Sequence, residues 1–221
     1  MKVGIALIIT ATVALFSCEQ VSRSTPEISK TETINSERRY EYTDSKGKGL
    51  IIENGGPKGD TYTDPNGKKY FKALFWTRLI NETDTPLEFR VGFPAASYEL
   101  PSSPGISFKI LLPSDTMEVD EMSSYNYGLS GLKSFLDSSI DKPSSLKRTI
   151  NPSDSGGFYV VILRLLGTEG PSGILRTGLS LKGQNLFYRI SRYDSAPAHA
   201  LVDEKEIDCG SINLKNLVLQ K

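Results

Sequence analysis

The sequence contains few of the side chains that bind metals or act as reactive pairs. Its 221 residues include 2 Cys and 1 His, so a zinc site would need carboxylates for most of its ligands. It also lacks net charge, because 26 Lys and Arg balance 26 Asp and Glu. Such a chain has no overall field that attracts nucleic acid. We predict no metal, no cofactor and no nucleic-acid partner.

Sequence motifs of common enzyme classes are missing as well. No G-x-S-x-G elbow presents a serine nucleophile, and GGPKGD from Gly55 lacks the Lys-Ser/Thr pair of a phosphate-binding loop. His199 and Cys209 are the only candidates for a thiol-imidazole pair, which would need both groups in one cleft. The alternative is that Cys209 is a small buried residue. We therefore predict no catalytic residue.

Two acidic segments are the remaining candidates for chemistry. Carboxylates that lie close together bind calcium or share the acid and base roles of glycoside hydrolysis, whereas exposed acidic loops explain most such segments. The segments contain Asp115, Glu118, Asp120 and Glu121, and Asp203, Glu204, Glu206 and Asp208.

The first residues have the pattern of a secretory signal peptide. Lys2 precedes an uncharged apolar segment, residues 3–16, of the length typical of a signal peptide. As a helix this segment would extend about 21 Å, which is shorter than the roughly 30 Å hydrocarbon core of a bilayer. Residues 1–17 are therefore predicted to be a signal peptide.

Leu15-Phe16-Ser17-Cys18 resembles the lipobox of bacterial lipoproteins, in which a leucine lies three residues before the cysteine and a small residue directly precedes it. The resemblance implies that the Cys18 thiol receives a diacylglyceryl group and that a peptidase cleaves between Ser17 and Cys18. The new amino group is often acylated too. Two or three acyl chains anchor a protein firmly, since each buried methylene contributes about 0.8 kcal/mol. An ordinary cleaved signal peptide and an uncleaved helical anchor are the alternatives.

Residues 18–39 are predicted to form a flexible tether. After the cysteine they contain no aromatic residue, and their sizeable apolar residues are Val21, Ile28 and Ile34. Such a segment buries too little surface to offset the entropy of ordering. A random coil of this length spans about 25 Å. Glu19 follows the cysteine, at the position where an aspartate favours retention in the inner membrane of some bacteria. Because this residue is not an aspartate, we expect the outer membrane where there is one.

Residues 40–221 are predicted to form one strand-rich domain. Short runs of period-two alternation recur between turn residues, and DPNG at residues 64–67 indicates a hairpin. The next strand, Tyr70 to Ile80, is apolar on both faces, so we expect it at the centre of its sheet with Trp76 in the core. FYVVILRLL from Phe158 indicates a second buried strand.

One segment has helical periodicity. Leu129, Leu132, Leu136 and Ile140 share one helix face, and Pro143 ends the run. The alternation of strands with long helices that a parallel α/β sheet requires is missing. We therefore predict an all-β fold: an antiparallel β-sandwich with immunoglobulin-like features and one short helix.

Tyr125 and Tyr127 in SSYNYGL are candidate binding residues. Tyrosines in a polar, glycine-flanked loop offer flat contact area to a protein or sugar at low entropic cost. The alternative is that both rings pack over the edge of a sheet.

Together these observations favour a lipid-anchored protein of the bacterial cell envelope. Its β-sandwich domain would bind or scaffold without catalysis, with membrane lipid as one partner through the acylated Cys18 and an envelope protein or glycan as another. Two alternatives remain: an envelope hydrolase with paired carboxylates from distant strands, and a subunit of a larger envelope complex, for which a broad exposed apolar patch would be the sign.

Overall fold

The computed structural model describes residues 38–167, 174–195, 200–215 and 219. These residues form 13 strands and one α-helix, α1 (Leu132–Ser139). The strands are β1 (Arg39–Thr43), β2 (Gly49–Asn54), β3 (Lys58–Thr63), β4 (Lys69–Asn81), β5 (Leu87–Phe93), β6 (Tyr98–Leu100), β7 (Ser103–Leu111), β8 (Thr116–Met117), β9 (Ser144–Ile150), β10 (Asp154–Leu165), β11 (Ile174–Lys182), β12 (Asn185–Tyr193) and β13 (Leu201–Asn213).

The strands form two antiparallel sheets. The larger has the order β1-β2-β4-β10-β7-β6, with β3 also paired to β4 and β8 to β10. The smaller has the order β11-β12-β13-β5-β9. The predicted all-β sandwich with one short helix is confirmed. The two antiparallel sheets enclose a common core, and the immunoglobulin-like features stay a prediction.

The paired strands β4 and β10 form the centre of the larger sheet. They are in register over the whole of β10, from Asp154 opposite Asn81 to Leu165 opposite Tyr70. In β10 the residues from Gly157 to Leu163 are buried without a break, so both faces of the strand are covered. The predicted central position of the strand around Trp76 is confirmed, and Trp76 packs as a partly buried residue.

One face of this central pair packs against the smaller sheet. Phe158, Val160 and Ile162 of β10 point into the core between the sheets, where they join side chains of β5 and β12 such as Phe89 and Tyr188. The ring centroids of Phe89 and Phe158 are 5.9 Å apart. The predicted alternation in β5 is confirmed, since its odd-numbered residues from Leu87 to Phe93 are buried.

Polar side chains also join the two sheets. Asn54 of β2 is buried, and its side-chain amide pairs with the backbone of Leu179 in β11: Nδ2 donates to the carbonyl at 3.1 Å and Oδ1 accepts from the amide at 2.8 Å. The Leu181 amide likewise donates to the Tyr42 hydroxyl at 2.8 Å. Because these groups are shielded from water, losing one partner would leave an unsatisfied polar group.

The other face of the central pair is covered by α1 and the turn before it. Tyr159, Val161 and Leu163 alternate with the residues that face the smaller sheet, and they form a second cluster with Leu132 and Leu136 of α1. The predicted helix is confirmed. The larger sheet thus lies between the smaller sheet and a helical layer.

Two consecutive hairpins share one turn sequence, Tyr-Thr-Asp-x-x-Gly-Lys, and one geometry. In the turn between β3 and β4, Asp64 Oδ1 accepts from the amides of Asn66 and Lys68, at 2.9 and 2.8 Å. Asp44 makes the equivalent two hydrogen bonds between β1 and β2. Gly67 has a φ of 81°, a conformation that costs glycine least. The hairpin predicted at DPNG is confirmed.

The strands β2 and β3 pair with the same edge of β4 and are separated by a short break. Asn54 lies opposite Thr77, whereas Lys58 lies opposite Leu74, so the β2–β3 side has one extra residue. This offset is that of a β-bulge, which releases backbone groups from the ladder. The break contains Gly55 and Gly56, and the Gly56 carbonyl accepts a hydrogen bond from the side chain of Tyr127.

Burial of Tyr188 predicts a stability change at alkaline pH. The side chain is 1% exposed and its hydroxyl donates to Thr177 Oγ1 at 2.8 Å; burial raises its pKa above the value of about 10 for a free tyrosine. The buried, neutral phenol of Tyr188 therefore contributes fully to the unfolding free energy below pH 10, and this contribution is lost as the pH rises above 10. In Tyr188→Phe, we expect the pH dependence above pH 10 to be shallower by up to about 1.4 kcal/mol per pH unit.

Denaturant titrations at a series of alkaline pH values measure this slope. Thr177→Val is the matched control, because it removes the hydrogen-bond partner and keeps the phenol; it should lower stability at neutral pH and keep the alkaline slope. A Tyr188→Phe slope equal to that of the wild type would contradict the prediction.

Candidate functional site

Two of the residues singled out from the sequence lie outside the described residues. These residues are Cys18 and His199. The predicted signal peptide and the tether up to residue 37 lie outside the described residues as well. The lipid anchor and the thiol-imidazole pair therefore stay predictions. In the described part of the chain, no helix combines the length and the hydropathy needed to cross a bilayer.

Cys209 is a free, buried cysteine on β13. It is 4% exposed, and its thiol donates to the Leu186 carbonyl at 3.2 Å. Burial raises its pKa to about 12, which makes the nucleophilic thiolate scarce at neutral pH. The interpretation of Cys209 as a small buried residue is confirmed.

The two acidic segments have different structures. Asp115, Glu118, Asp120 and Glu121 are exposed around β8 and the following 3-10 turn. The second segment is part of strand β13, so the expectation of an exposed loop is wrong there. Asp203 is buried and accepts from the Ser102 amide at 2.9 Å, while Glu206 forms an ion pair with Lys182. No group of three or more potential metal ligands occurs among the described residues.

The structure separates the two candidate tyrosines. Tyr127 is 7% exposed and belongs to the cluster beneath α1. Its hydroxyl donates to the Gly56 carbonyl at 2.6 Å, and its own carbonyl accepts from the Tyr159 hydroxyl at 2.7 Å. The ammonium of Lys58 lies 3.9 Å from the centre of its ring. Tyr127 therefore fixes the turn to the larger sheet at the break between β2 and β3.

The turn that contains both tyrosines has an unusual backbone. Asn126 and Tyr127 have φ angles of 49° and 54°, and Gly128 follows at 78°. A left-handed conformation costs a residue with a side chain about 1–2 kcal/mol, and for a tyrosine it is a clear outlier. Such strain persists where surrounding contacts fix it, and it is common at binding and catalytic sites.

The consequence of this turn is that Tyr125 faces water. Its side chain is 76% exposed, the highest value among the large hydrophobic residues of the described chain. Its hydroxyl donates to Asp60 Oδ2 at 3.3 Å. Tyr125 thus lies across a gap from β3 and is held there by one hydrogen bond at the tip of its ring.

The gap is a cleft of about 610 Å³, which we call the Tyr125 cleft. One wall consists of residues 60–63 of β3 and Lys72 of β4. The other consists of residues between Tyr125 and Leu136, including the start of α1. Its volume is within the range of about 300–1,000 Å³ of small-molecule sites.

A buried lysine, Lys72, lines this cleft. The Lys72 side chain is only 9% exposed, and its ammonium lies 3.8 Å from Asp60 Oδ2, which is an ion pair beyond hydrogen-bond distance. No described residue accepts a hydrogen bond from it. The hydrogen bond from the Thr61 amide holds the pKa of Asp60 below its usual value, and the positive charge of Lys72 adds a smaller effect. The carboxylate is therefore ionised at neutral pH. Lys72 thus has unused donors that face the cleft.

A second ion pair lies at the helical wall. Lys133 donates to Asp137 at 2.7 Å, and the Tyr62 hydroxyl donates to the other carboxylate oxygen at 2.9 Å. These two hydrogen bonds hold the pKa of Asp137 below its usual value. Each lysine of the cleft is therefore matched by one carboxylate.

Sequence reasoning missed Lys72 and Asp60, although the sequence contained a signal for them. They lie directly opposite each other in the β3–β4 ladder, and the DPNG turn sets that register. Oppositely charged residues at facing positions form a cross-strand pair. That the turn around Tyr125 covers this pair follows from contacts distant in sequence.

No known protein family matches this chain, and neither a curated protein nor a solved structure does. The case for a functional site therefore depends on the geometry of the cleft and on the residues that line it.

The opposite environments of the two tyrosines predict opposite effects of truncation. Tyr127→Ala should lower the unfolding free energy by about 3–5 kcal/mol, as for other buried aromatic residues. Tyr125→Ala should change it by no more than about 0.5 kcal/mol, because the ring is exposed. Urea denaturation of both variants checks this, and equal losses of stability would contradict the assignment of Tyr127 as the residue that fixes the turn.

Proposed function

We propose that this chain is a lipid-anchored protein of the bacterial cell envelope, with a β-sandwich domain that binds a partner without catalysis. The lipobox-like sequence Leu15-Phe16-Ser17-Cys18 supports the anchor. Membrane lipid is then one partner, through acyl chains on Cys18, and the outer membrane is the favoured location where there is one.

The observation that carries the binding function is the exposed ring of Tyr125 beside a polar cleft. Its strained turn is fixed by contacts of Tyr127, and Tyr125 itself is 76% exposed, so the fold gains little buried surface from its ring. An exposed aromatic residue next to unused hydrogen-bond donors is typical of a binding site. The partner would be a glycan or a protein of the envelope.

The lining of the cleft favours binding over glycoside hydrolysis. Hydrolysis by the common mechanisms uses two carboxyl groups about 5–10 Å apart on either side of the scissile bond. In the described residues, Asp60 is the one carboxylate that lines the cleft, and Lys72 lies beside it. Asp137 at the helical wall is not part of the lining, and its hydrogen bonds with Lys133 and Tyr62 keep it ionised. A lysine beside a carboxylate keeps that carboxylate ionised, whereas the acid of such a pair must be protonated.

Metabolic labelling with an alkyne fatty acid tests the anchor. We expect the wild type to incorporate the label and Cys18→Ala to lose it, because the acyl chain is attached through the Cys18 sulfur. Cys209→Ala is the matched control and should keep the label, since Cys209 is buried. Equal labelling of wild type and Cys18→Ala would contradict the anchor.

Counting reactive thiols in the purified native protein gives an independent check. If Cys18 is alkylated by lipid, N-ethylmaleimide should label no cysteine in the folded chain, where Cys209 is buried. It should label one after denaturation and none in denatured Cys209→Ala. Mass spectrometry that finds two labelled cysteines in the denatured wild type would show that Cys18 carries no lipid.

A further inference from the structure

We propose that the Tyr125 cleft is a carbohydrate site that takes a neutral oligosaccharide, an inference that rests on the proposed binding function of the domain. Three features of the cleft point to this ligand: an exposed aromatic face, a hydrogen-bonding pair in its lining and a balance of charge.

The aromatic face is the ring of Tyr125. A sugar ring has an apolar face of C–H groups, which packs on the electron-rich face of an aromatic ring. Tyrosine offers this surface with two rotatable side-chain bonds, so little conformational entropy is lost on binding. The hydrogen bond from Tyr125 to Asp60 reduces this loss further, because it already restrains the ring in the free protein.

The hydrogen-bonding pair is Lys72 with Asp60. A sugar hydroxyl both donates and accepts, whereas an ammonium only donates and a carboxylate only accepts. Neighbouring hydroxyls are therefore matched by a donor and an acceptor side by side, and Lys72 Nζ and Asp60 Oδ2 are 3.8 Å apart. Lys72 is also held in place, because its side chain is buried and its neighbours in β4 are paired to both β3 and β10.

The balance of charge favours a neutral sugar over an acidic one. Asp60 offsets Lys72, and Asp137 offsets Lys133 at the helical wall. An acidic ligand that approached Lys72 would also meet the Asp60 carboxylate, and like charges at close range repel. The remaining polar lining consists of uncharged groups such as Thr61 and Ser130, which bind hydroxyl groups well.

Isothermal titration calorimetry with the detergent-solubilised full chain tests the proposal. The probes are neutral hexasaccharides of glucose, mannose, galactose and N-acetylglucosamine, with polygalacturonate oligomers as the acidic comparison. We expect at least one neutral hexasaccharide to bind, and Tyr125→Ala to weaken it by about 10- to 30-fold. Tyr125→Phe keeps the ring and should retain most of the affinity.

Matched variants separate a binding role from a structural one. Asp60→Asn should weaken binding about tenfold, because it exchanges an acceptor-only carboxylate for an amide. Lys72→Met keeps the length of the side chain and removes its donors, so it should also weaken binding about tenfold; circular dichroism checks its folding, and should it not fold, Asp60→Asn and Tyr125→Ala remain as tests. Leu201→Ala is the control, since Leu201 is 53% exposed and lies outside the cleft. It should bind like the wild type.

Three outcomes would overturn the proposal: no neutral hexasaccharide binds, polygalacturonate binds in their place, or Tyr125→Ala binds as well as the wild type. Each outcome is distinct from failure of the proposed anchor, which fatty-acid labelling of Cys18 measures separately. Capture of an envelope protein that Tyr125→Ala abolishes, without any sugar binding, would show that the domain binds a protein and would refute the carbohydrate assignment.

Discussion

The double-sided burial of the β4–β10 pair is the constraint on which the rest of the structure depends. A strand that is apolar on both faces must be covered on both, since each exposed face would leave several large side chains in water. The smaller sheet covers one face through the core around Phe158. The other face is covered by α1 and the turn before it, which bring Leu136 and Tyr127 onto the sheet. The Tyr125 cleft lies where this second cover meets β3.

The contacts of Tyr127 connect the sheet to the cleft. The break between β2 and β3 leaves the Gly56 carbonyl available to the Tyr127 hydroxyl, and Lys58 packs on the same ring while it donates to the Met122 and Ser124 carbonyls. These interactions offset the cost of the left-handed turn. One tyrosine of this turn is thus buried on the sheet while the other is exposed beside the cleft, so the break in the ladder and the cleft belong to one arrangement.

Much of the fold could be predicted from the sequence, because its signals are local. Three such patterns indicate which side of an element is buried: the alternation in β5, the apolar residues on both faces of the strand around Trp76, and the leucine spacing of α1. The acidic strand β13 was missed because its inward positions include Asp203, whose carboxylate accepts from the Ser102 amide in the turn between β6 and β7. The cleft was missed for a related reason: its two walls are distant in sequence, and three successive left-handed residues have no reliable sequence pattern apart from Gly128.

The position of β1 has a mechanical consequence. β1 is the edge strand through which the chain enters the sandwich, and it pairs with β2 along its whole length. Its side chains also reach the smaller sheet, where the Tyr42 hydroxyl accepts from the Leu181 amide and Tyr40 accepts from Arg189. Tension applied ahead of Arg39 would therefore be shared by both sheets rather than peeling one hairpin.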